Sequence, residues 1–290
     1  MRLRTLPLSL AGVVLGAFLA WPVRQTGVLT LIALLLTTVC LQILSNLSNE
    51  LGDYLSGTDG TGREGPMYSL GEGKITESEF KKLIIYFVGL CCFFGVLMIA
   101  SAFNGNIFCI KALCLYALGI CAVWAAMHYT LGKNPYGYIG LGDLFVFIFF
   151  GLVSVAGAYY VIAQDFTSWH ILLPAVCIGM FSVGVLNTNN IRDMESDAGT
   201  RKTMPLLIGE RKAKIYQTAL IVIGWVTMVV FTLLEYSSPW NWLYLITLPL
   251  YIVHLYGVWK HHGGALDKYL PLLVMSSFLF SLLAGIGYLL

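Results

Sequence analysis

Charge is what this 290-residue sequence has least of: Asp, Glu, Lys and Arg together make up 11% of it, less than half the share in an ordinary soluble domain. Hydrophobic residues make up 58%, and the mean hydropathy is +0.79. That composition excludes a soluble globular protein, because too little polar surface exists to cover the apolar remainder, and a lipid bilayer is the expected solvent. Metal-ligand cysteine spacing is absent as well. The seven cysteines (Cys40, Cys91, Cys92, Cys109, Cys114, Cys121 and Cys177) all lie in apolar stretches, without a Cys-x-x-Cys pair or a Cys/His cluster. They read as lipophilic packing residues, and no disulfide is expected. The net charge is only +2 and no basic patch is interleaved with surface aromatics, so no nucleic acid partner is expected.

Long apolar runs are what the chain does have. Crossing roughly 30 Å of hydrocarbon takes about 17 to 25 apolar residues, and nine such stretches occur, at 6–22, 27–47, 82–103, 108–129, 142–162, 169–188, 214–234, 240–259 and 269–289. The predicted fold class is therefore all-α: a polytopic membrane bundle of about nine transmembrane helices, read as one domain over residues 1–290. The start of the first stretch has the look of a signal peptide, but the spans that follow already commit the chain to the membrane. With the amino terminus in the cytoplasm, only Arg24 and Lys111 of the 17 Lys and Arg residues fall on the far side, and the positive-inside rule selects that topology. The expected location is a cell (inner) membrane, with the polar loops and any site they carry facing the cytoplasm.

The carboxylates are equally one-sided. Of 15, only Asp165 and Glu235 are predicted outside the cytoplasmic face, although orientation rules make no such demand on acids. They concentrate in Asn46-Leu-Ser-Asn49-Glu50-Leu-Gly-Asp53-Tyr-Leu-Ser-Gly57-Thr-Asp59, after the second span, and in Asn187-Thr-Asn189-Asn190-Ile-Arg192-Asp193-Met-Glu195-Ser-Asp197, after the sixth. If each segment continues its helix, Asn49 and Asp53 share a face, as do Asn189, Asp193 and Asp197. Like charges at that spacing repel, more so beside a membrane. Hard divalent cations relieve the repulsion, and Mg²⁺ takes a few carboxylate oxygens together with substrate phosphates, so the two rows read as half-sites for a metal-bridged diphosphate. The competing reading is two solvated loops whose Asn and Asp residues cap helices. Four crossings separate the motifs, the arrangement of two parallel four-helix repeats plus a ninth helix, with a site at the repeat interface. Tyr129-Thr-Leu-Gly-Lys133, after the fourth span, adds a third polar element on the same face.

On these residues the chain resembles the UbiA superfamily of intramembrane aromatic prenyltransferases over nearly its whole length, and within it the branch acting on 1,4-dihydroxy-2-naphthoate. The likeness rests on Leu41-Gln-Ile-Leu-Ser-Asn46 running into Asn49 to Asp59, on the block from Pro135-Tyr-Gly-Tyr138 through Asp143 to Gly151, and on Asn189-Asn-Ile-Arg-Asp193. The middle block is the most specific to that branch. Asn49 and Asp53 fill the first and last positions of the family's NDxxD motif, with Glu50 at the second, and Asp59 follows. Asp193 and Asp197 match DxxxD, Tyr129 and Lys133 match YxxxK, and Arg201-Lys202-Thr203 stands where the family has Gly-Lys-x-Thr. The resemblance implies Mg²⁺ on Asn49, Asp53, Asp59, Asp193 and Asp197. It implies catalytic roles for Asp53, Asp193, Asp197, Tyr129 and Lys133, and substrate contacts from Asn49, Arg63, Asn189, Asn190, Arg192 and Lys202.

The implied reaction is ionisation of the allylic C–O bond of a polyprenyl diphosphate, attack by the 1,4-dihydroxy-2-naphthoate ring, and loss of diphosphate and CO₂ to give demethylmenaquinol for menaquinone synthesis. Another aromatic acceptor, such as 4-hydroxybenzoate, remains open. So does a different class, a membrane transporter holding an anion between its repeats, although a transporter is expected to carry acids at mid-membrane depth and these sit at span ends. Asp143, after Gly140-Leu-Gly142, reads as the cap of the fifth span.

Overall fold

A computed structural model describes residues 3–56, 70, 73 and 75–290 of the chain. Asp59 and Arg63, expected on the metal and on the substrate, lie outside the described residues. Among the described residues every regular element is helical, and nine helices are long and apolar enough to cross a membrane. These are α1 (Leu6–Val23), α2 (Val28–Leu55), α3 (Glu77–Ala102), α4 (Ile110–His128), α5 (Gly142–Ala163), α6 (Trp169–Arg192), α7 (Glu210–Leu234), α8 (Pro239–Lys260) and α9 (Gly263–Leu289). They overlie the nine expected stretches. The protein is a multi-pass membrane protein.

α2 and α6 outrun their apolar segments and carry the polar motifs as helix. Residues 46–55 contain no proline and a single glycine, so nothing breaks the backbone ladder before Ser56. At the end of α6, Asp193 departs from helical geometry (φ −94°, ψ 13°) before the short turn Met194–Asp197. The ladder nonetheless passes through, from the Asp193 N–H to the Asn189 carbonyl (3.0 Å) and from the Asp197 N–H to the Asp193 carbonyl (2.9 Å). Asn189 and Asp193 stay together, Asn189 Nδ2 donating to Asp193 Oδ2 at 3.2 Å, and the kink at Asp193 falls before Asp197.

Lipid tails are as apolar as side chains, so helices in a bilayer are held by close packing rather than by exclusion from water. α1 lies against α9 and α5, α2 along α3, and α6 against α7 and the middle of α5. The α1–α5 contact depends on small residues: a Cβ on Gly16 would stand 2.2 Å from the Val155 carbonyl oxygen. Behind α6, buried aromatics knit α7, α8 and α9 together, with Phe181 ring centroids 4.7 Å from Tyr251 and 5.3 Å from Phe280. Ile85, Phe93 and Ile120 stay exposed, as a lipid-facing surface requires. All seven cysteines are free.

Two local features bear on the site. The middle of α5, Phe147–Gly157, is π-helical, a geometry that rarely extends so far and recurs at functional positions. Here it is the wall of a cavity. Asp143 does not cap α5, whose cap position is Leu141 without a side-chain bond. Its carboxylate instead accepts from the Tyr216 hydroxyl at 3.0 Å, a tertiary bond to α7 that local sequence does not reveal.

Candidate active site

The motif ends of α2 and α6 stand at the mouth of a cavity of about 600 Å³ lined by residues of α1 to α6 and of the start of α9. Its depths are apolar, with Leu34, Met98, Leu118, Phe149 and Val153, and its mouth is polar, with Asn49, Asp53, Asn189, Asn190 and Arg201. On α2 the helical period turns Asn49 and Asp53 toward the cavity. Thr130, just beyond α4, fixes this face by donating to the Ser48 carbonyl (2.9 Å) and standing 3.3 Å from Asn49 Oδ1. That approach needs glycine at position 52, where a Cβ would meet Thr130 side-chain atoms at 2.5 Å.

Asp53 is 1% exposed and receives two side chains from distant segments. The Tyr138 hydroxyl donates to its Oδ1 at 3.0 Å, and Arg201 Nη2 donates to the same oxygen at 2.5 Å. Arg201 also brings its Nε to 3.5 Å from Asp197, and its guanidinium lies over the Tyr138 ring, 4.6 Å from the centroid. One cation thus links the acidic motif of the first repeat to that of the second. Burial works against the charge, but Asp53 and Asp197 outweigh it and hold the Arg201 guanidinium above its ordinary pKa. Tyr138 completes the junction, because its carbonyl accepts the Lys202 N–H at 3.0 Å.

Asp193 is held differently. The neighbouring Arg192 forks onto it, Nε to Oδ1 and Nη2 to Oδ2, both at 2.7 Å. The same guanidinium reaches Asn189 Oδ1 (2.9 Å) and Asp267 Oδ1 (2.8 Å), in the turn at the start of α9. Arg4 closes the network on Asp267 Oδ2 at 3.1 Å. Arg192, expected on the substrate, is here taken up by protein acceptors.

The other expected residues divide as follows. Tyr129, Asn189 and Asn190 line the cavity mouth. Lys202 does not join them: its residue is exposed, and the cation brought to the acids is Arg201, one position earlier. Lys133 is exposed on the turn after α4 and does not line the cavity. Glu50, 2% exposed, is rotated about 100° from Asn49 and accepts the Leu70 N–H at 3.3 Å, away from the cavity lining. Sequence reasoning missed Arg201 as the cation on the acids, together with Tyr138, Thr130, Asp267 and Arg4. Tyr138 left a signal in the branch-specific block, and Thr130 lies inside the Tyr129–Lys133 element.

Among the described residues no three acidic, His or Cys side chains converge on one point. A Mg²⁺ ion held by one or two carboxylates and a substrate's phosphates does not require it. Asp53 and Asp197, already gathered around a single guanidinium, fit such an ion.

The sequence profile of the UbiA prenyltransferase family matches residues 9–283. The chain belongs to the UbiA prenyltransferase family. Among relatives of this UbiA chain, the 1,4-dihydroxy-2-naphthoate octaprenyltransferase of Escherichia coli is 38% identical over 87% of the chain and 81% of its own length. The enzyme of the same name from Haemophilus influenzae is 36% identical over 99% of the chain and 94% of its own length. In fold, the UbiA chain is similar to an apo UbiA homologue from Aeropyrum pernix, with a TM-score of 0.72, 16% identity and coverage of 100% and 98% of the two chains. It is also similar to a UbiA homologue from Archaeoglobus fulgidus solved with GPP and Mg²⁺ bound, with a TM-score of 0.63, 17% identity and 99% coverage of both.

Proposed function

We propose that this chain transfers a polyprenyl group from polyprenyl diphosphate to 1,4-dihydroxy-2-naphthoate, releasing diphosphate and CO₂ and forming demethylmenaquinol for menaquinone synthesis. The observation that carries the reading is the meeting of two acidic helix ends, from different repeats, on one cation above an apolar cavity. The names of the naphthoate prenyltransferases 38% and 36% identical to it support the choice of substrates. Residues 1–290 act as one domain in the cell (inner) membrane, with the cavity mouth toward the cytoplasm, the side to which the positive-inside rule assigns the motif loops.

Mg²⁺ on Asn49, Asp53, Asp193 and Asp197 would supply positive charge against the departing diphosphate, as it does in many phosphate-transfer sites. The Arg201 fork and the Tyr129 hydroxyl lie at the mouth where phosphate oxygens would sit, with Lys133 at the rim. The isoprenoid tail fits the apolar depth of the cavity and can extend between helices into lipid. Tyr136, Phe145 and Phe149 form one wall, with centroid separations of 3.9 and 6.2 Å along the stack. They exclude water and present π faces to a developing allylic cation. The electron pair of the C–O bond leaves with diphosphate, the ring carbon bearing the carboxylate forms the new C–C bond, and CO₂ loss restores aromaticity.

The test is prenyl transfer by purified protein in liposomes with geranylgeranyl or farnesyl diphosphate, dihydroxynaphthoate or 4-hydroxybenzoate, and Mg²⁺ or EDTA. Expected is Mg²⁺-dependent product with the naphthoate alone, lost in Asp53→Ala and Asp193→Ala. Folded protein that prenylates neither ring would refute the assignment.

A further inference from the structure

On α2 the cavity lining runs from Asp53 through Asn49, Ser45, Leu41 and Thr38 to Leu34, one residue per turn down a single face. At about 1.5 Å rise per residue, Leu34 lies about 28 Å from Asp53, close to the full thickness of the hydrocarbon. A diphosphate at the acidic end therefore leaves its tail a channel nearly as long as the membrane is thick.

The end of that channel away from the acidic motifs is closed. α2 and α3 run antiparallel, and the Thr30 and Ser101 hydroxyls meet at 2.8 Å, a register that brings Met98 level with Leu34 one turn nearer the site. Leu115 and Val161 line the cavity near the same ends of α4 and α5. Just beyond them, the side-chain amide of Gln164, the residue after α5, donates to the Ala102 carbonyl of α3, and Lys111 Nζ of α4 donates to the Gln164 carbonyl at 2.9 Å. These bonds tie together the ends of α2, α3, α4 and α5, so a tail has no straight way out at the far surface.

Among the described residues of α3, Met98 alone lines the cavity. The helix otherwise stays outside it, and this one buried side chain reaches the channel's closed end. An isoprene unit advances about 5 Å along an extended chain of C–C bonds of about 1.5 Å. With about 5 Å taken by the diphosphate, about four to five units bring a tail to Met98.

We propose that Met98 is the end stop of the tail channel and sets the longest prenyl chain that the closed cavity holds, about four to five isoprene units. Longer tails pass only by displacing it. The inference rests on the prenyl-transfer reading above and assigns the tail specificity of that site. The other reading is that Met98 only packs the far ends of α2 and α3 together.

Met98→Trp and Met98→Ala separate the two. In liposomes, kcat/KM for dihydroxynaphthoate prenylation is measured with geranyl, farnesyl, geranylgeranyl and octaprenyl diphosphate. The two units of geranyl fall short of the stop and the four of geranylgeranyl reach it. Met98→Trp is expected to lower the geranylgeranyl value about tenfold or more, the scale of a misfit in an apolar pocket, with the geranyl value within about twofold of wild type. Retained geranyl transfer also certifies that the variant folds. Met98→Ala needs no extra room and decides the case if the indole disrupts the fold; it is expected to raise the octaprenyl value relative to geranylgeranyl by about tenfold. Met98→Trp values that match wild type at every length, or that fall in parallel for geranyl and geranylgeranyl in a variant whose alanine counterpart keeps the wild-type length preference, overturn the stop while wild-type transfer stands. A wild type that transfers no prenyl group of any length to dihydroxynaphthoate overturns the underlying reading and the stop with it.

Discussion

Replacing Arg201 by Gln removes the one positive charge that Asp53 and Asp197 share. Unit charges about 4 Å apart interact by about 4 kcal/mol at an effective dielectric near 20, and breaking a buried pair from one side costs roughly 3–5 kcal/mol. Two effects of opposite sign follow. The metal-free protein loses about 3 kcal/mol of stability, because two carboxylates are left facing each other. A divalent cation gains, because it no longer has to displace a guanidinium. If only about a third of the interaction is recovered by the ion, its affinity rises about tenfold, since 1.4 kcal/mol is a factor of ten. The assay is Mn²⁺ titration of detergent-solubilised protein without diphosphate, followed by electron paramagnetic resonance, together with thermal unfolding with and without Mg²⁺. Arg201→Gln is expected to bind Mn²⁺ more tightly than wild type and to recover its lost Tm when Mg²⁺ is added. Lys202→Gln, one residue along and exposed, leaves both readouts unchanged. Equal or weaker Mn²⁺ binding by Arg201→Gln would show that its guanidinium does not occupy the place of the ion.

Three further changes probe the supports of the site. Tyr138→Phe keeps the ring under Arg201 but deletes the hydroxyl that donates to Asp53; a hydrogen bond to a charged group is worth about 1.5–3 kcal/mol, so Tm should fall and kcat should drop by as much as roughly ten- to hundredfold, and unaltered values of both would remove Tyr138 from the support of Asp53. Thr130→Val preserves shape and loses the donor to the Ser48 carbonyl and Asn49; the expected cost is about 1–3 kcal/mol, read as a lower Tm together with a raised KM for prenyl diphosphate. Gly16→Leu drives a side chain into the Val155 carbonyl, whereas a Cβ on Gly27 meets nothing within 4 Å; size-exclusion chromatography should show aggregated Gly16→Leu and wild-type-like Gly27→Ala.

The parts of this protein legible in its sequence are those set by fixed physical lengths. Bilayer thickness marks out the nine spans, and the helical period puts Asn49 with Asp53 and Asn189 with Asp193. Legibility ends where the backbone leaves the helix. After Asp197 the chain turns through Ala198 (ψ 123°) and Gly199 (φ +84°), so no period relates Arg201 or Lys202 to the motif, and a shift of one residue decides which cation faces the acids. The Arg192–Asp193 fork was hidden for a related reason. Adjacent residues on a helix do not face each other, and these two meet because α6 ends between them. Asp143 with Tyr216 and Arg4 with Asp267 are pairings between segments far apart in sequence, beyond the reach of any local pattern.

The two buried arginines at the site show why burial and pairing alone do not identify function. Arg192 is anchored at one end of a long helix and bonded to Asn189, Asp193 and Asp267, acceptors that themselves sit on α6, at its end and in the first turn of α9. Moving it would unpair several groups at once, so it acts as a brace. Arg201 stands on a short non-helical stretch, its contacts are two carboxylates and the face of one tyrosine, and those carboxylates come from the two repeats that the site joins. A polyanion arriving at the mouth meets one guanidinium that attracts it and two carboxylates, Asp53 and Asp197, that repel it. Exchange of Arg201 from acids to phosphate therefore becomes favourable when other positive charge arrives with the anion. The pairing that keeps the two acidic ends together in the absence of ligand thereby couples diphosphate entry to cation entry, a coupling the fixed pairing of Arg192 does not provide.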